Sequence, residues 1–307
     1  ICRHSRAAAA ALGLLLAASP AAALRAAPSA GRRAEACTEY TLPPEALLSG
    51  SGKLWEYYHF LIDFAPAVYY HIRNDSAPCK ILTVPGWHSD DKFSLAWSAH
   101  PQWSMQDKFD YFFAPLGLSL EPAPTREEMA AALPRRTLVD VSGHTSRGWS
   151  NQTSAYFLAF RAYAQAMPGV RPTRRDVLAV RRGHVRGYRG FKVAFDRRHL
   201  EEDFYARLQE DMASKGWSTA VVSLEAASSA EQIAMFSGAR AVVAQHGAAL
   251  SNVIFAGAGT LVVEIGHRDH LCYETLARKL GLPYLHFEAT EYPKGLASSV
   301  QALLGRA

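Results

Sequence analysis

The chain is 307 residues long, 49% hydrophobic and 20% charged, with a formal net charge of +5. Those values describe a globular protein long enough to bury a large core, and they exclude a disordered or coiled-coil chain. The 33 Lys and Arg against 28 Asp and Glu are a mild excess; with no basic run interleaved with aromatics and no zinc-finger spacing, no nucleic-acid partner is expected.

Arg3, His4 and Arg6 precede an apolar run from Ala7 to Leu24, the basic-then-apolar order of a secretory signal. Ala21-Ala22-Ala23 offers a small-residue cleavage site. The run is also about the shortest that spans a bilayer, so a retained signal anchor stays open beside a cleaved signal peptide. Either outcome delivers the remainder to the lumen of the endoplasmic reticulum or Golgi, soluble or as a single-pass type II membrane protein. Residues 26–36 are low in complexity and read as a short stem. Asn74-Asp75-Ser76 and Asn151-Gln152-Thr153 are N-glycosylation acceptors, which suits a luminal address. Beyond Cys2 in the targeting segment stand Cys37, Cys79 and Cys272, an odd number. One disulfide plus one free or intermolecular thiol is expected, with Cys37–Cys79 the pair because both flank the first lobe.

From Lys53 to Ile72, apolar residues including Leu54, Tyr57, Leu61 and Val68 recur at helical intervals, and Pro66 is placed to kink or divide that helix. Lys80–Val84 reads as a strand ended by Pro85-Gly86. Residues 87–113 are aromatic-rich without a clear period, and Pro115–Pro124 reads as a loop. Arg136–Ser142 reads as a strand and Thr153–Met167 as a helix. Pro168-Gly169-Val170-Arg171-Pro172 is the candidate linker.

Beyond it the pattern becomes regular. Strands are expected at Asp176–Val180, Thr219–Leu224, Ala241–Gln245, Thr260–Ile265 and Tyr284–Phe287. Helices fall between them at Arg198–Lys215, Ser229–Ser237, Ala248–Phe255 and His270–Leu280, with a last one at Leu296–Leu304 that could pack across both lobes. Such alternation means an α/β fold with a parallel, doubly wound sheet. The expected division is 1–36 targeting segment and stem, 37–170 an N-terminal lobe, 171–290 a C-terminal lobe, and 291–307 a C-terminal helix.

The most informative stretch is Ala241 to Gly266. A strand that stops at Gln245-His246-Gly247 and turns directly into a helix leaves unpaired N–H groups at the helix start, a natural seat for a phosphate. The amides of Gly247, Ala248 and Ala249 would form that seat and His246 would stand at its mouth. Glu264, one strand over, lies where doubly wound sheets hold ribose hydroxyls. No Asp-x-Asp follows a predicted strand, Asp90-Asp91 reads as solvated, and His267, Asp269 and His270 crowd one loop without a fourth ligand, so no metal site is expected. No Gly-x-Gly-x-x-Gly follows any strand, which counts against a nicotinamide-dependent oxidoreductase.

Several segments together resemble glycosyltransferase family 61, which includes plant xylosyl- and arabinosyltransferases and animal enzymes that add N-acetylglucosamine to Ser, Thr or O-mannose. They are Gln232-Ile233-Ala234-Met235-Phe236, His246-Gly247-Ala248-Ala249-Leu250-Ser251-Asn252, the Gly259-Thr260 to Glu264 strand and Cys272-Tyr273-Glu274-Thr275-Leu276-Ala277. Tyr57-Tyr58-His59-Phe60, with Asp63 following, resembles the family's aromatic-His segment. The resemblance implies a GT-B-like architecture of two Rossmann-like lobes, 37–170 on the acceptor side and 171–290 binding the nucleotide sugar, with the active cleft between them. It also implies inversion at the anomeric carbon, with a UDP-sugar as co-substrate and no required metal or other cofactor.

Glycosyl transfer needs the departing diphosphate stabilised and the acceptor hydroxyl deprotonated as it attacks. Arg181 and Arg186, after the lobe's first strand, are the candidate cations for the diphosphate. Asn252 is a further candidate donor contact or a loop cap, and Glu264 would bind the ribose or the donor sugar. His59 is the candidate base, with Asp63 one turn later to orient it or to act as base itself. The expected acceptor is a hydroxyl of a protein or glycan; the donor sugar is N-acetylglucosamine, to which the Cys272 segment points, or a pentose. The family's Asn after the arginines is missing and Ala249 replaces a frequent Gly, which keeps open a catalytically inactive relative that binds nucleotide or glycan. A membrane partner enters only through the N-terminal anchor.

Overall fold

In a computed structural model of the chain, the described residues are 37–42, 57–85, 105–123, 137–139, 153–181, 200, 202–225, 227–266, 271–288 and 291–305. They build two parallel sheets. The first comprises β1 (Cys37–Thr41), β2 (Cys79–Pro85), β3 (Leu118–Ala123) and β4 (Thr137–Leu138), in the order β3-β2-β1-β4. The second comprises β5 (Arg175–Arg181), β6 (Thr219–Ser223), β7 (Ala239–Gln245), β8 (Leu261–Ile265) and β9 (Tyr284–Phe287), in the order β6-β5-β7-β8-β9. Both orders belong to doubly wound Rossmann-like sheets. β8 is buried at every position and β7 at every position but Arg240. Continuous Val- and Ala-rich runs are what a strand covered on both faces requires.

The covers follow from side-chain alternation. On one face of the second sheet, Phe204, Leu208 and Met212 of α4 (Glu202–Ala213) and Leu296 and Val300 of α7 (Leu296–Leu304) bury Val177, Ala179, Val243 and Val263. On the other face, Ile233 and Phe236 of α5 (Ser229–Gly238), Leu250 and Ile254 of a 3₁₀ helix (Ala248–Phe255), and Tyr273 and Leu276 of α6 (Cys272–Lys279) bury Leu178, Val242, Ala244 and Val262. Ser228 starts α5 with a capping box: its hydroxyl accepts from the Glu231 N–H at 3.3 Å, and the Glu231 carboxylate accepts from the Ser228 N–H at 2.7 Å.

This second face is continuous with the core of the first sheet, and both sheets lie in one compact unit, Cys37–Ala307. Phe255 meets Phe112 of α2 (Met105–Phe113) and Phe160 of α3 (Thr153–Gln165), with ring centroids 6.0 and 6.2 Å away. Gln165 donates to the Phe255 carbonyl at 2.8 Å, so α3 caps the end of the 3₁₀ helix.

Helix α1 runs as Tyr57–His59, a π-helical turn Phe60–Phe64, and Ala65–Ile72. The Ala65 N–H bonds the Phe60 carbonyl five residues back. Pro66 has no N–H to give, and the widened turn before it lets the helix divide in register instead of ending. Three expectations change. β1 was not anticipated, the segment read as the Pro115–Pro124 loop contains β3, and Ala248–Phe255 is 3₁₀ rather than α. Among the described residues no helix is long and apolar enough to cross a membrane; residues 1–36, read from the sequence as a targeting segment and stem, lie outside them.

Cys37 and Cys79 face each other in the β1–β2 register and are joined by a disulfide across 42 residues of sequence. Closing a loop of that length removes freedom from the unfolded chain. Replacing Cys79 with Ser should lower the unfolding free energy by about 2–4 kcal/mol, read from denaturant melts with and without the bond.

Candidate functional site

The second sheet's order, in its own sequence terms 2-1-3-4-5, reverses direction between β5 and β7. The chain leaving β5 goes to α4 on one face, and the chain leaving β7 goes to the 3₁₀ helix on the other. A crevice opens at the carboxyl ends between such diverging connections, where sheets of this order take ligands. Arg181 ends β5 there and is exposed, and Gln245-His246-Gly247 ends β7. The first N–H groups of the 3₁₀ helix have no acceptor within it. Ala248 is exposed and Gly247 and Ala249 are partly so, which leaves that edge open to solvent.

His246 and Glu264 form a buried pair. The register sets Glu264 beside Ala244, and its carboxylate takes the Nδ1 side of His246 on Oε1 and the Tyr284 hydroxyl on Oε2. Glu264 is 0% exposed and His246 7%. Nδ1 of His246 therefore carries its proton toward Glu264, which leaves Nε2 for the site. With both oxygens occupied and buried, Glu264 has no atom exposed for a ribose; in this geometry it orients His246.

Of the two roles expected of Asn252, a donor contact or a loop cap, its bonds suit the second. It is 0% exposed, its amide nitrogen donates to the Ala249 carbonyl at 3.1 Å, and its oxygen lies 2.6 Å from the Tyr57 hydroxyl. The same hydroxyl lies 2.8 Å from Oε1 of Gln232, and its single proton serves one oxygen at a time. Gln232 spends its nitrogen on the Leu224 and Ala227 carbonyls. Three residues of the resembling segments thus form one network that ties α1 to α5 and the 3₁₀ helix. Lys108 of α2 lies 4.7 Å from the centre of the Tyr57 ring, and burial pushes its ammonium down to about 8.

His59 and Asp63 come together on α1, with Nδ1 of His59 2.6 Å from Oδ2 of Asp63. The side chain of His59 is 20% exposed. The carboxylate holds the Nδ1 proton, so Nε2 is the nitrogen able to accept one. Two tyrosines connect this pair to the other. Tyr58 meets His59 and Tyr273 edge-on, with centroids at 5.1 and 5.7 Å, and Tyr273 meets His246 at 5.2 Å. The π turn and Pro66 therefore matter locally, since they set which way His59 and Asp63 face.

Cys272 is a free thiol beside this group. Burial first, and then the Glu264 charge, push its thiol up to about 11. Asn74 is exposed in the turn after α1. Arg186, Asn151, Asp90, Asp91, His267, Asp269 and His270 lie outside the described residues. Among the described residues no group of three or more His, Cys, Asp or Glu is arranged to hold a metal. The reading of the sequence did not include Tyr284, Tyr273, Gln232 or Gln245 in the site. Tyr284 reaches Glu264 from two residues before the register partner His286, a relation that exists only once β8 and β9 are paired.

These features define the class: a parallel α/β protein of Rossmann-like type, with a His–carboxylate pair at the ligand edge of its sheet. The chain belongs to glycosyltransferase family 61, whose model, described as Glycosyltransferase 61, matches residues 57–263. That span runs from Tyr57 through the His59–Asp63 pair and the His246 turn to the residue before Glu264. No curated protein matches the chain. Membership of this family implies a sugar donor and an acceptor.

Replacing Tyr57 with Phe strands the buried oxygens of Asn252 and Gln232, and should cost about 1–3 kcal/mol of stability in denaturant melts. The Cys272 thiol should react slowly with maleimide at pH 8 in the native protein, and its rate should still be climbing tenfold per pH unit near pH 10. Glu264→Gln, which removes the neighbouring charge, should move that profile to lower pH.

Proposed function

We propose that this protein is an inverting, metal-independent glycosyltransferase of GT-B-like, two-lobed architecture. It moves a sugar from a UDP-sugar to a hydroxyl of a protein or glycan. N-acetylglucosamine is the favoured sugar and a pentose the other reading, because the Cys272-Tyr273-Glu274 segment resembles the animal branch. One observation carries the proposal. Two histidines, each with Nδ1 held by a carboxylate, lie on either side of the Tyr58–Tyr273 pair, one on each structural half.

The pairing supplies the two jobs that transfer requires. His59 Nε2 takes the proton of the acceptor hydroxyl as the oxygen attacks the anomeric carbon, and Asp63 keeps the ring in the tautomer that can do so. The bond from that carbon to the diphosphate oxygen breaks on the opposite side, which inverts the configuration. The amides of Gly247, Ala248 and Ala249, with His246 Nε2 and the Arg181 guanidinium, receive the developing negative charge. Preorganised donors of this kind do without a divalent ion. A luminal address is supported by the Cys37–Cys79 bond, since disulfides persist in oxidising compartments, and by the exposed Asn74 acceptor.

The test is UDP release from a panel of UDP-sugars, with and without EDTA, by the purified luminal portion. Release unchanged by EDTA is expected. His59→Ala should lower kcat by about 10²–10⁴-fold with little change in UDP affinity. Arg181→Ala and His246→Ala should weaken UDP binding and turnover together. Turnover untouched by all three substitutions overturns the site. Stabilisation by UDP with no release from any sugar selects the inactive, nucleotide-binding reading.

A further inference from the structure

Gln245 ends β7 immediately before the His246 turn. It is 6% exposed, and among the described residues neither its amide nitrogen nor its amide oxygen has a hydrogen-bond partner. Native interiors leave few polar groups in that condition. Gln232, 3% exposed, shows the usual arrangement, with both ends of its amide bonded. A side chain with one donor end and one acceptor end, both idle, lies at the ligand edge of the sheet.

Its direction is set by strand alternation. Val243 and Ala241 belong to the core under α4 and α7, so Gln245, two residues on, takes that face. His246 takes the other, toward Glu264. Val177 and Ala179 share the Val243 core, which puts Arg181 on the Gln245 face, one strand away. A nucleotide lying over the amides of the 3₁₀ helix therefore has two distinguishable ends. Its sugar end belongs on the side of His246 and His59, where transfer occurs, and its base end belongs on the side of Gln245.

Resting on the transferase reading, we propose that Gln245 reads the hydrogen-bonding edge of the donor's nucleobase. Nε2–H donates to a ring carbonyl and Oε1 accepts from the adjacent ring N–H. The imide of a uracil presents those two groups side by side, and a side-chain amide meets such an edge with two parallel bonds. Gln245 is then a specificity-determining residue rather than a catalytic one.

The experiment is calorimetric binding to the full chain, wild type and Gln245→Met, an apolar replacement of similar length. The probes are UDP, N3-methyl-UDP, whose methyl group blocks the ring N–H, and inorganic pyrophosphate, which has no base. Wild type should prefer UDP over N3-methyl-UDP by about tenfold or more. Gln245→Met should lose that preference, weaken UDP by a similar factor and leave pyrophosphate unchanged. Equal wild-type affinity for UDP and N3-methyl-UDP overturns the proposal without recourse to any variant. So does a substitution that leaves UDP binding intact, or one that weakens pyrophosphate as much as UDP. Wild type that binds neither UDP nor pyrophosphate removes the transferase reading as well, whereas tight UDP binding indifferent to Gln245 removes this assignment alone.

Discussion

A carboxylate with no exposure to water constrains everything around it. Glu264 sits on an interior strand of a parallel sheet, fully buried, where a charge left without donors is untenable, and two side chains satisfy it. One comes from the turn after β7 and the other from the start of β9, so a single buried group fixes the relation of three consecutive strands at their ligand edge. The orientation of His246 is a by-product of that demand. Burial first, and the same charge second, hold the Cys272 thiol protonated, so a sulfur close to the site is kept from acting as a nucleophile.

The two structural halves are joined at the site by chemistry as well as by packing. Phe255 is held among rings of the first half, while the other end of its 3₁₀ helix faces solvent and the crevice. The Tyr57 hydroxyl fastens α1 to the middle of the same helix. A short helix pinned at its end and along its length can present its first amides at a fixed angle, which an oxyanion-stabilising site needs. The Tyr58–Tyr273 edge contact then sets the spacing of the two histidines.

Much of the second sheet was legible in the sequence, because Val-rich runs between turn residues have few other solutions. The His59–Asp63 pair was legible for a similar reason: residues four apart on a helix share a face. The first half was harder. β1 reads Cys-Thr-Glu-Tyr-Thr, too short and polar to announce itself, and it exists because β2 and β4 flank it. β3 carries Pro122 and follows Gly117, which suggests a loop, yet it is the edge strand, where a missing N–H costs no ladder bond. Glu264 was singled out but assigned to the ligand. Eighteen residues separate it from His246, and only strand register brings them together.

The Cys37–Cys79 bond has a mechanical side. Any pull transmitted through residues 1–36 enters the fold at Cys37, the first residue of β1. Without the covalent link, that load would peel the backbone ladder between β1 and β2 from its amino-terminal end. With it, tension passes straight into β2, the strand between β1 and β3, and the hydrogen bonds behind it are shielded.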